Sequence, residues 1–149
     1  MTGQLSNSQI DTLLESCSLG RLGCYAQNTV YVVPVSYAFE GEYVYSHTRE
    51  GMKVNMMREN PDVCFEVDQI DNMANWRSAI LWGKYEELAG HDREEALQKI
   101  CNRFVPITTS IYSLPAKDIH AKDIASVAKL KEVVFRIKIE KRSGRFEKR

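Results

Sequence analysis

The sequence predicts a mainly β fold, namely a small antiparallel barrel of about six strands with helices that flank it or close its ends. Six segments have the apolar patterns of strands, and the first three are joined by links too short for parallel crossovers. Residues 76–88 form a strand-like segment long enough to curve around a barrel, with Gly83 as the expected bend. The chain shows no internal repeat and no linker, so residues 1–149 are predicted to form a single domain.

The first third of the chain is predicted to contain one helix and three strands. Residues 6–16 carry apolar side chains at helical spacing, with serine and asparagine available as caps. Residues 21–27 alternate as a half-buried strand does, and tight turns connect them to residues 30–39 and 43–47 in an antiparallel meander. Pro34 cannot donate to a ladder, so the second strand is expected at an edge or a bulge. This position is either a plain edge or one where neighbouring backbone groups face a ligand.

The middle of the chain is predicted to contain a short helix and two strands. The helix spans residues 52–60 and ends before Pro61, because proline disfavours helical geometry at the preceding residue. Residues 62–68 alternate as a strand with one apolar face, residues 69–75 form a polar loop, and residues 76–88 form the long strand.

The last third is predicted to contain an amphipathic helix and a closing strand. Asp92 and Glu95 have the spacing of a capping box, and the apolar stripe that follows ends at Pro106. The next residues are the least informative, and we expect a loop and then a short helix near residues 117–128. Residues 133–139 alternate clearly and form the final strand.

The composition excludes several classes of protein. Hydrophobic residues make up 44% of the chain and charged residues 27%, which is typical of a globular domain. Lys plus Arg and Asp plus Glu both number 20, and this balance argues against a nucleic-acid partner. The longest apolar run, residues 30–35, is too short to cross a membrane, and the polar residues 1–9 lack the apolar core of an export signal. We therefore expect a cytoplasmic protein.

The cysteines indicate neither a metal site nor a disulfide framework. They show no C-x-x-C motif and no metal-ligand spacing, so we expect reduced thiols and no bound metal. The four residues are Cys17, Cys24, Cys64 and Cys101.

A candidate anion site follows the third predicted strand. Residues 43–48 end in small hydroxyl residues and His47, and the chain then passes through Gly51 into a helix that carries Lys53. Backbone N–H groups at a helix N-terminus lack internal partners and the helix dipole favours an anion, so this junction suits a phosphate. Arg77, from a later strand, could supply two further N–H donors. Alternatively, Lys53 is a solvated helix lysine and Arg77 an exposed strand arginine paired across the sheet.

Six stretches of the chain have the order and spacing of a known family's motifs. They are Gly20-Arg21-Leu22-Gly23, Val33-Pro34-Val35-Ser36-Tyr37, residues 45–53, Asn60-Pro61, residues 63–67 and residues 76–86. Together they resemble the pyridoxamine 5'-phosphate oxidase-like family of FMN-binding split β-barrels, and within it the branch that includes nitroimidazole-resistance proteins. The resemblance covers residues 19–88 together with the final strand.

The resemblance implies a homodimer that binds two FMN molecules at the subunit interface. It places Lys53 on the FMN phosphate, together with Arg77 from the partner chain. It also implies contacts of residues 46–48 with the flavin and its ribityl chain, and of the backbone of residues 33–35 with the isoalloxazine ring. The full set of implied cofactor-binding residues is Val33, Pro34, Val35, Ser46, His47, Thr48, Met52, Lys53, Trp76, Arg77 and Ser78.

The function implied by the resemblance is that of an FMN-dependent oxidoreductase acting on a small molecule, similar to a nitroreductase or a flavin reductase. No G-x-G-x-x-G fingerprint is present, so NAD(P)H would be a transient donor rather than a resident cofactor. Pyridoxamine-phosphate oxidation itself is not expected, because residues 143–149 lack the arginines and the tryptophan with which the oxidase binds its substrate. The alternatives are a flavin- or haem-binding module without turnover, and a scaffold that has lost its cofactor.

His47 is the candidate catalytic residue, and three roles are open for it. It could be a general acid, a gate beside the flavin, or a hydrogen-bonded histidine at a strand end, since neutral imidazole both donates and accepts. Trp82 is expected in the core or at the dimer interface, and Trp76 at the rim of the flavin. Met52, like the two methionines that follow it in the helix, is expected to pack against the core rather than to form a binding surface.

Overall fold

In the computed structural model, residues 1–108 and 132–149 are described, with the side chains of residues 104–108 left aside. These ranges contain three helices and eight strands. The helices are α1 (Asn7–Ser16), α2 (Met52–Glu59) and α3 (Gly90–Thr108). The strands are β1 (Thr2–Gln4), β2 (Leu19–Ala26), β3 (Thr29–Ser36), β4 (Ala38–Glu40), β5 (Tyr43–Thr48), β6 (Asp62–Asn72), β7 (Asn75–Glu87) and β8 (Val133–Glu147).

The eight described strands belong to one antiparallel sheet, which confirms the predicted mainly β class. Their order is β3-β2-β6-β7-β8-β5-β4, and β1 adds to β8. Within the described ranges, the two ends of this order, β3 and β4, do not pair with each other. The barrel is therefore open along one seam, as in a split barrel.

The segment predicted as one strand, residues 30–39, is divided between the two ends of the sheet. β3 pairs with β2, whereas β4 pairs with β5, and the chain passes from one to the other at Tyr37. Tyr37 is fully buried, and its hydroxyl donates to the Leu14 carbonyl oxygen at 2.6 Å. Because this anchor separates the two halves, the predicted three-stranded meander is wrong. Pro34 is exposed on β3, a strand at the end of the sheet, as its missing N–H predicted.

The main hydrophobic core lies inside the curl of the sheet and is closed by α1. Ile10, Leu13 and Leu14 are buried there with Tyr37 and Phe65. The rings of Tyr37 and Phe65 pack edge to face, with their centroids 5.0 Å apart. Burying each large apolar side chain of this kind stabilises the folded state by about 1.5–3 kcal/mol relative to leaving it exposed. A second core packs α3 against the opposite face of β5 and β8. It consists of Ala38, Tyr45, Leu88, Ala96, Leu97, Ile100 and Val134.

The first two helices follow their local sequence signals. Ser6 caps α1 by accepting from the Gln9 backbone N–H at 3.2 Å, and the Gln9 side chain accepts from the Ser6 N–H at 2.8 Å. α2 ends at Glu59, with Asn60 as its C-cap directly before Pro61. Signals this close in sequence act without help from the rest of the fold, so these boundaries were predictable.

The predicted polar loop at residues 69–75 is a continuation of strand pairing. β6 runs to Asn72 and β7 begins at Asn75, so only a two-residue turn separates them. The Asn72 side-chain oxygen accepts from the Ala74 backbone N–H at 2.9 Å and stabilises this turn. The polar residues mark an exposed part of the hairpin rather than a break in it.

Helix α3 and strand β8 are both longer than predicted. α3 begins at Gly90, whose φ is 60°, so Asp92 lies in the first helical turn rather than at the N-cap. The helix passes Pro106 and ends at Thr108. β8 runs on to Glu147 because its polar half still pairs with β7 and β1. The helix predicted near residues 117–128 lies outside the described residues. None of the helices in the described ranges is long and apolar enough to cross a membrane.

The predicted bend at Gly83 coincides with a bulge between β7 and β8. Trp82 is opposite Lys141 but Gly83 is opposite Ile139, so one residue of β8 is left over. A Cβ atom at Gly83 would overlap the backbone carbonyl oxygen of Lys138, which has no room to move within the ladder. Glycine is therefore required at this position by close backbone approach.

Substituting Gly83→Ala should lower the free energy of unfolding by about 1–3 kcal/mol, because the new methyl group forces the two longest strands apart. Urea denaturation of the variant and the parent measures this difference. The control is Gly51→Ala, where no atom lies within 4 Å of the added Cβ and the loss should be smaller. Equal losses in the two variants would contradict the assigned role of Gly83.

Candidate functional site

The open seam of the barrel runs beside the edge strand β3. The Ser46 hydroxyl donates to the Ser36 carbonyl oxygen at 2.7 Å, which holds β5 beside the end of β3. Near the start of β3, the turn before this strand faces α2 across a cleft of about 550 Å³. This cleft is lined by Ala26, Gln27, Thr29, Gly51, Met52, Asn55, Met56 and Glu59. We call this cleft the β3–α2 groove.

The predicted ring-contact residues lie on β3, the strand at one end of the described sheet. Val33 and Val35 pack against the core, whereas Pro34 is exposed on the opposite face of the strand. Side chains alternate across a strand, so the edge itself is backbone. What this strand offers to a molecule in the groove is a row of main-chain donors and acceptors.

The predicted strand-end residues differ in how far they are free to bind. Ser46 is buried and its hydroxyl hydrogen is used within the fold. His47 is partly exposed, and its Nδ1 lies 2.7 Å from the carboxylate of Glu132. Thr48 donates only a long hydrogen bond, 3.3 Å, to the carbonyl oxygen of Arg49. His47 and Thr48 are therefore the two side chains here that reach solvent.

The loop that leads into α2 is held by a charged network. Arg58 donates to both carboxylate oxygens of Glu50, at 2.8 and 2.9 Å, and to Glu87 at 2.8 Å. The Tyr85 hydroxyl donates to Glu87 at 2.6 Å, and the hydrogen bonds from Arg58 lower the pKa of Glu87. Gly51, the N-cap of α2, provides no side-chain hydrogen bond to the first helical turn. The loop is thus fixed while no side chain caps the helix N-terminus.

Sequence analysis missed this network. The hydrogen bonds of Arg58 connect residues 8 and 29 positions apart, which no local spacing rule relates. A bidentate arginine–carboxylate pair is a geometry that fixes both partners, so this network holds the loop before α2 in position.

Lys53 lies in the first turn of α2 and is half-buried. Burial and the neighbouring Cys64 thiol raise the pKa of Cys24, and the Lys53 ammonium acts in the opposite direction, so Lys53 is close to Cys24. Met52 precedes it with 60% of its surface exposed. The prediction that Met52 packs in the core is therefore wrong, whereas the two later methionines of α2 are buried. Met52 lies in the wall of the groove because it starts the helix.

Within a single folded chain, Arg77 lies at a different end of the sheet from Lys53. It is exposed on β7 and pairs with Gln69 of β6, whereas Cys24, near Lys53, pairs with Val63 of β6. Gln69 lies six positions after Val63 on β6, which corresponds to about 20 Å along a strand. The ladder therefore holds the two predicted phosphate ligands at different ends of the sheet, and a single chain does not bring them together.

The two neighbours of Arg77 lie with it on β7, at the end of the sheet away from Lys53. Trp76 and Ser78 are half-buried, and Trp76 lines a cavity of about 340 Å³ together with Arg77 and Phe146. Of the predicted cofactor-binding set, Met52 lines the β3–α2 groove and Lys53 follows it in α2. Residues 33–35 belong to the edge strand β3 and residues 46–48 to the end of β5, whereas residues 76–78 lie on β7.

An apolar surface covers the outer face of the sheet. Val32 and Trp82 are 62% and 38% exposed, and Gly23 and Cys64 lie between them in one cross-strand row. This row borders a depression of about 520 Å³ whose lining is predominantly apolar. We call it the outer apolar face. The prediction that Trp82 belongs to the core is wrong, and an interface position stays a prediction.

A carboxylate pair lies beside this face in the next rows of the sheet. Arg21 Nη1 lies 3.1 Å from Asp68 and 3.4 Å from Glu66, all on the outward side of β2 and β6. Burial and then the hydrogen bond with Asp68 raise the pKa of Glu66 to about 7, against the opposing charge of Arg21. Two carboxylates close together cannot both ionise freely, so Glu66 retains its proton well above its usual range.

Comparison with known proteins adds three findings. The family model described as pyridoxamine 5'-phosphate oxidase matches residues 6–146. The structure of a FAD-binding protein from Mesorhizobium loti is similar, with 27% identity, a TM-score of 0.73 and 98% of each chain covered. The structure of a candidate 5-nitroimidazole antibiotic resistance protein from Bacteroides thetaiotaomicron has the same fold, with 18% identity and a TM-score of 0.73. The match covers 98% of this chain and 87% of that chain.

A sequence relative covers less of the chain. An uncharacterized protein of Rhizobium meliloti (strain 1021) is 30% identical over 84 residues, which are 56% of this chain and 56% of that protein. The chain thus spans about half the length of this curated relative.

Substituting Glu66→Gln should stabilise the protein above pH 7 and have less effect below about pH 5. The raised pKa means that the folded state binds more protons than the unfolded state, so stability falls as the pH rises through about 7. The amide keeps the shape without that penalty, for a gain of roughly 1–2 kcal/mol at pH 8. Urea unfolding at pH 5 and pH 8, with the exposed Glu94→Gln as control, measures it. A gain that is the same at both pH values would contradict this assignment.

Proposed function

Since the chain belongs to the pyridoxamine 5'-phosphate oxidase family and has its FMN-binding split-barrel fold, we propose that it is a flavin-binding homodimer that acts as an oxidoreductase on a small molecule. One observation carries this proposal. Lys53 follows Met52, which lines the β3–α2 groove, in a first helical turn that no side chain caps, while Arg77 is held at the other end of the same sheet. Two chains are needed to close one phosphate site.

The phosphate end of the flavin is placed at the start of α2. The free N–H groups of the first helical turn and the helix dipole favour a dianion, and Lys53 adds a positive charge that is half-buried and thus less screened by solvent. The Glu50–Arg58 pair keeps the loop in position before the ligand arrives. A preorganised loop lowers the entropy lost on binding.

The second cation is assigned to Arg77 of the partner subunit. Its guanidinium is exposed in the single chain, and its fork of donors matches a phosphate in two parallel hydrogen bonds. Trp76 and Ser78 flank Arg77 on the same strand, so in this arrangement the second chain would contribute this whole segment to the site.

The outer apolar face supplies the surface for such a dimer. Exposed apolar patches of this kind mark association sites, and Val32 and Trp82 are too large to be exposed without cost. The face includes β3, whose free edge borders the groove, so a partner seated on it would also border the flavin site. Association and cofactor binding would then depend on one another.

The bound flavin would supply the electron-transfer chemistry, and the chain's residues would bind it, orient its ring against β3 and exclude water. FMN is the proposed cofactor. The similar protein from Mesorhizobium loti is described as FAD-binding, and FMN and FAD share the ribityl 5'-phosphate that this site recognises.

Chromatography of the flavin released on denaturation distinguishes FMN from FAD. Oxidation of a reduced nicotinamide in the presence of a nitroaromatic acceptor distinguishes the oxidoreductase from a binding module without turnover.

Replacing Lys53→Ala or Arg77→Ala should weaken flavin binding by about tenfold or more, because each removes a charge-assisted contact worth roughly 1.5–3 kcal/mol. Titration of the flavin-free protein with FMN, followed by flavin fluorescence, gives the dissociation constants. The control is Lys138→Ala, an exposed lysine of β8. Full affinity in the double variant would remove the phosphate site from the proposal.

Mixed dimers test whether the two cations come from different chains. A dimer of one Lys53→Ala chain and one Arg77→Ala chain should contain one site with both cations and one site with neither. It should therefore bind one flavin per dimer with the parental affinity, whereas each variant homodimer binds weakly at both sites. Differently tagged chains, co-expressed and purified over both tags, allow the flavin content to be counted. Two weak sites in the mixed dimer would mean that each site draws both cations from one chain.

A further inference from the structure

A charged cluster lies inside the exposed apolar surface of the sheet. It consists of Arg21, whose Nη1 lies 3.1 Å from the carboxylate of Asp68 and 3.4 Å from that of Glu66. In the same cross-strand row, the cluster is flanked by Pro34 on β3 and by Ile80 on β7, and both of these side chains are exposed. The proposed flavin site does not use this cluster.

Exposed apolar side chains also border the cluster above and below its row. Residues two positions apart on a strand share a face, so the row of Val32 and Trp82 lies on one side of the cluster. On the other side lie Leu19 of β2, which is 54% exposed, and Ile70 of β6, which is 64% exposed. The apolar surface therefore extends beyond the outer apolar face defined above, and it encloses the cluster.

The charges of the cluster do not balance. One guanidinium faces two carboxylates, so one negative charge is left over when both Glu66 and Asp68 are ionised. A proton on either carboxylate makes the cluster neutral. In the single chain, Glu66 and Asp68 are each about a quarter exposed, so water still solvates the excess charge.

No other charged group of the neighbouring strands faces Glu66 closely enough to balance this excess. On its own strand, the titratable group besides Asp68 is the Cys64 thiol, two positions away. The nearest cations of β8 on this side, Lys141 and Arg145, lie beyond β7, two strands from Glu66. Apart from Arg21, the residues that face Glu66 from β2 and β7 carry no charge; they are Leu19, Gly23, Ser78, Ile80 and Trp82.

A second chain on this surface would exclude the water that solvates the excess charge. Burying an unpaired charge is costly, whereas a protonated carboxyl beside a carboxylate that Arg21 balances is a neutral, hydrogen-bonded group. In the single chain, burial and then the hydrogen bond with Asp68 raise the pKa of Glu66 to about 7. Further burial acts in the same direction, because it disfavours the charged form.

We propose that each chain takes up one proton from solvent at the Glu66–Asp68 pair when two copies associate through the outer apolar face. The inference rests on the proposed function, because it takes a second copy of the chain as the occupant of this face. Below about pH 7 the separate chain already holds the proton, whereas above it the proton must be bound on association, so the dimer weakens as the pH rises. Because the two phosphate cations of the proposed site come from different chains, flavin binding should weaken together with the dimer.

The dissociation constant of the dimer, measured by sedimentation of the full chain between pH 6 and pH 9, tests this proposal. For the parent it should be constant near pH 6 and rise about tenfold or more between pH 7 and pH 8.5, as linkage requires. Glu66→Gln removes the group that takes up the proton, so its dissociation constant should not vary with pH. Asp68→Asn should be equally constant, because Arg21 then balances the one remaining carboxylate. The control Glu94→Gln, an exposed residue of α3, should follow the parent.

The outcomes separate this inference from the proposed function. A parent dimer whose dissociation constant is the same at pH 6 and pH 8.5 would overturn the proton uptake and leave the homodimer in place. A pH dependence that persists in Glu66→Gln would assign it to another group and would also overturn the inference. Chains that stay monomeric at every pH would refute the homodimer itself, and the inference with it.

The location of the interface is tested by a charge placed in the outer apolar face. Trp82→Glu should abolish the dimer at every pH, and Val32→Glu on the edge strand should do the same if the first variant does not fold. Circular dichroism shows whether each variant is folded. A folded variant that still dimerises as the parent does would place the interface elsewhere and overturn the proposal.

Discussion

The ladder between β6 and β7 is the constraint on which the rest of the molecule depends. A paired strand does not shorten, so the pairing of Arg77 with Gln69 and of Gly83 with Val63 holds the two ends of the sheet about 20 Å apart. Within one chain, the cations that the sequence indicates for one phosphate are kept at separate places. The proposed homodimer would bring both cations to one site, with the outer apolar face as its proposed interface.

The open seam of the barrel lies beside β3, where main-chain groups of the strand edge are available to a ligand. Because Tyr37 anchors the chain between β3 and β4, these strands do not pair and the edge of β3 stays free. The adjoining loop is rigid for a separate reason, namely the double hydrogen bond between Arg58 and Glu50. The strand edge, the uncapped helix and the fixed loop are the preorganised parts of the proposed flavin site.

Polar side chains around this frame are arranged in pairs that control protons. Glu66 shares its surroundings with Asp68 and keeps a proton near neutral pH, and Glu132 lies 2.7 Å from His47 Nδ1. In both cases the partner comes from backbone pairing or from a neighbouring strand position, so the sheet determines which groups meet. The first pair borders the outer apolar face, and the second lies on the face of β5 and β8 that packs against α3.

The sequence by itself determined the features whose causes lie within a few residues. The helix start at Ser6, the end of α2 before Pro61, the buried faces of the strands and the bend at Gly83 all follow from local spacing, and the family resemblance identified the fold. Only the tertiary structure decided the strand order, the length of the polar strand ends, the break at Tyr37, and which cations and carboxylates meet. These depend on hydrogen bonds between residues far apart in sequence, and a pattern of neighbouring residues carries no information about such partners.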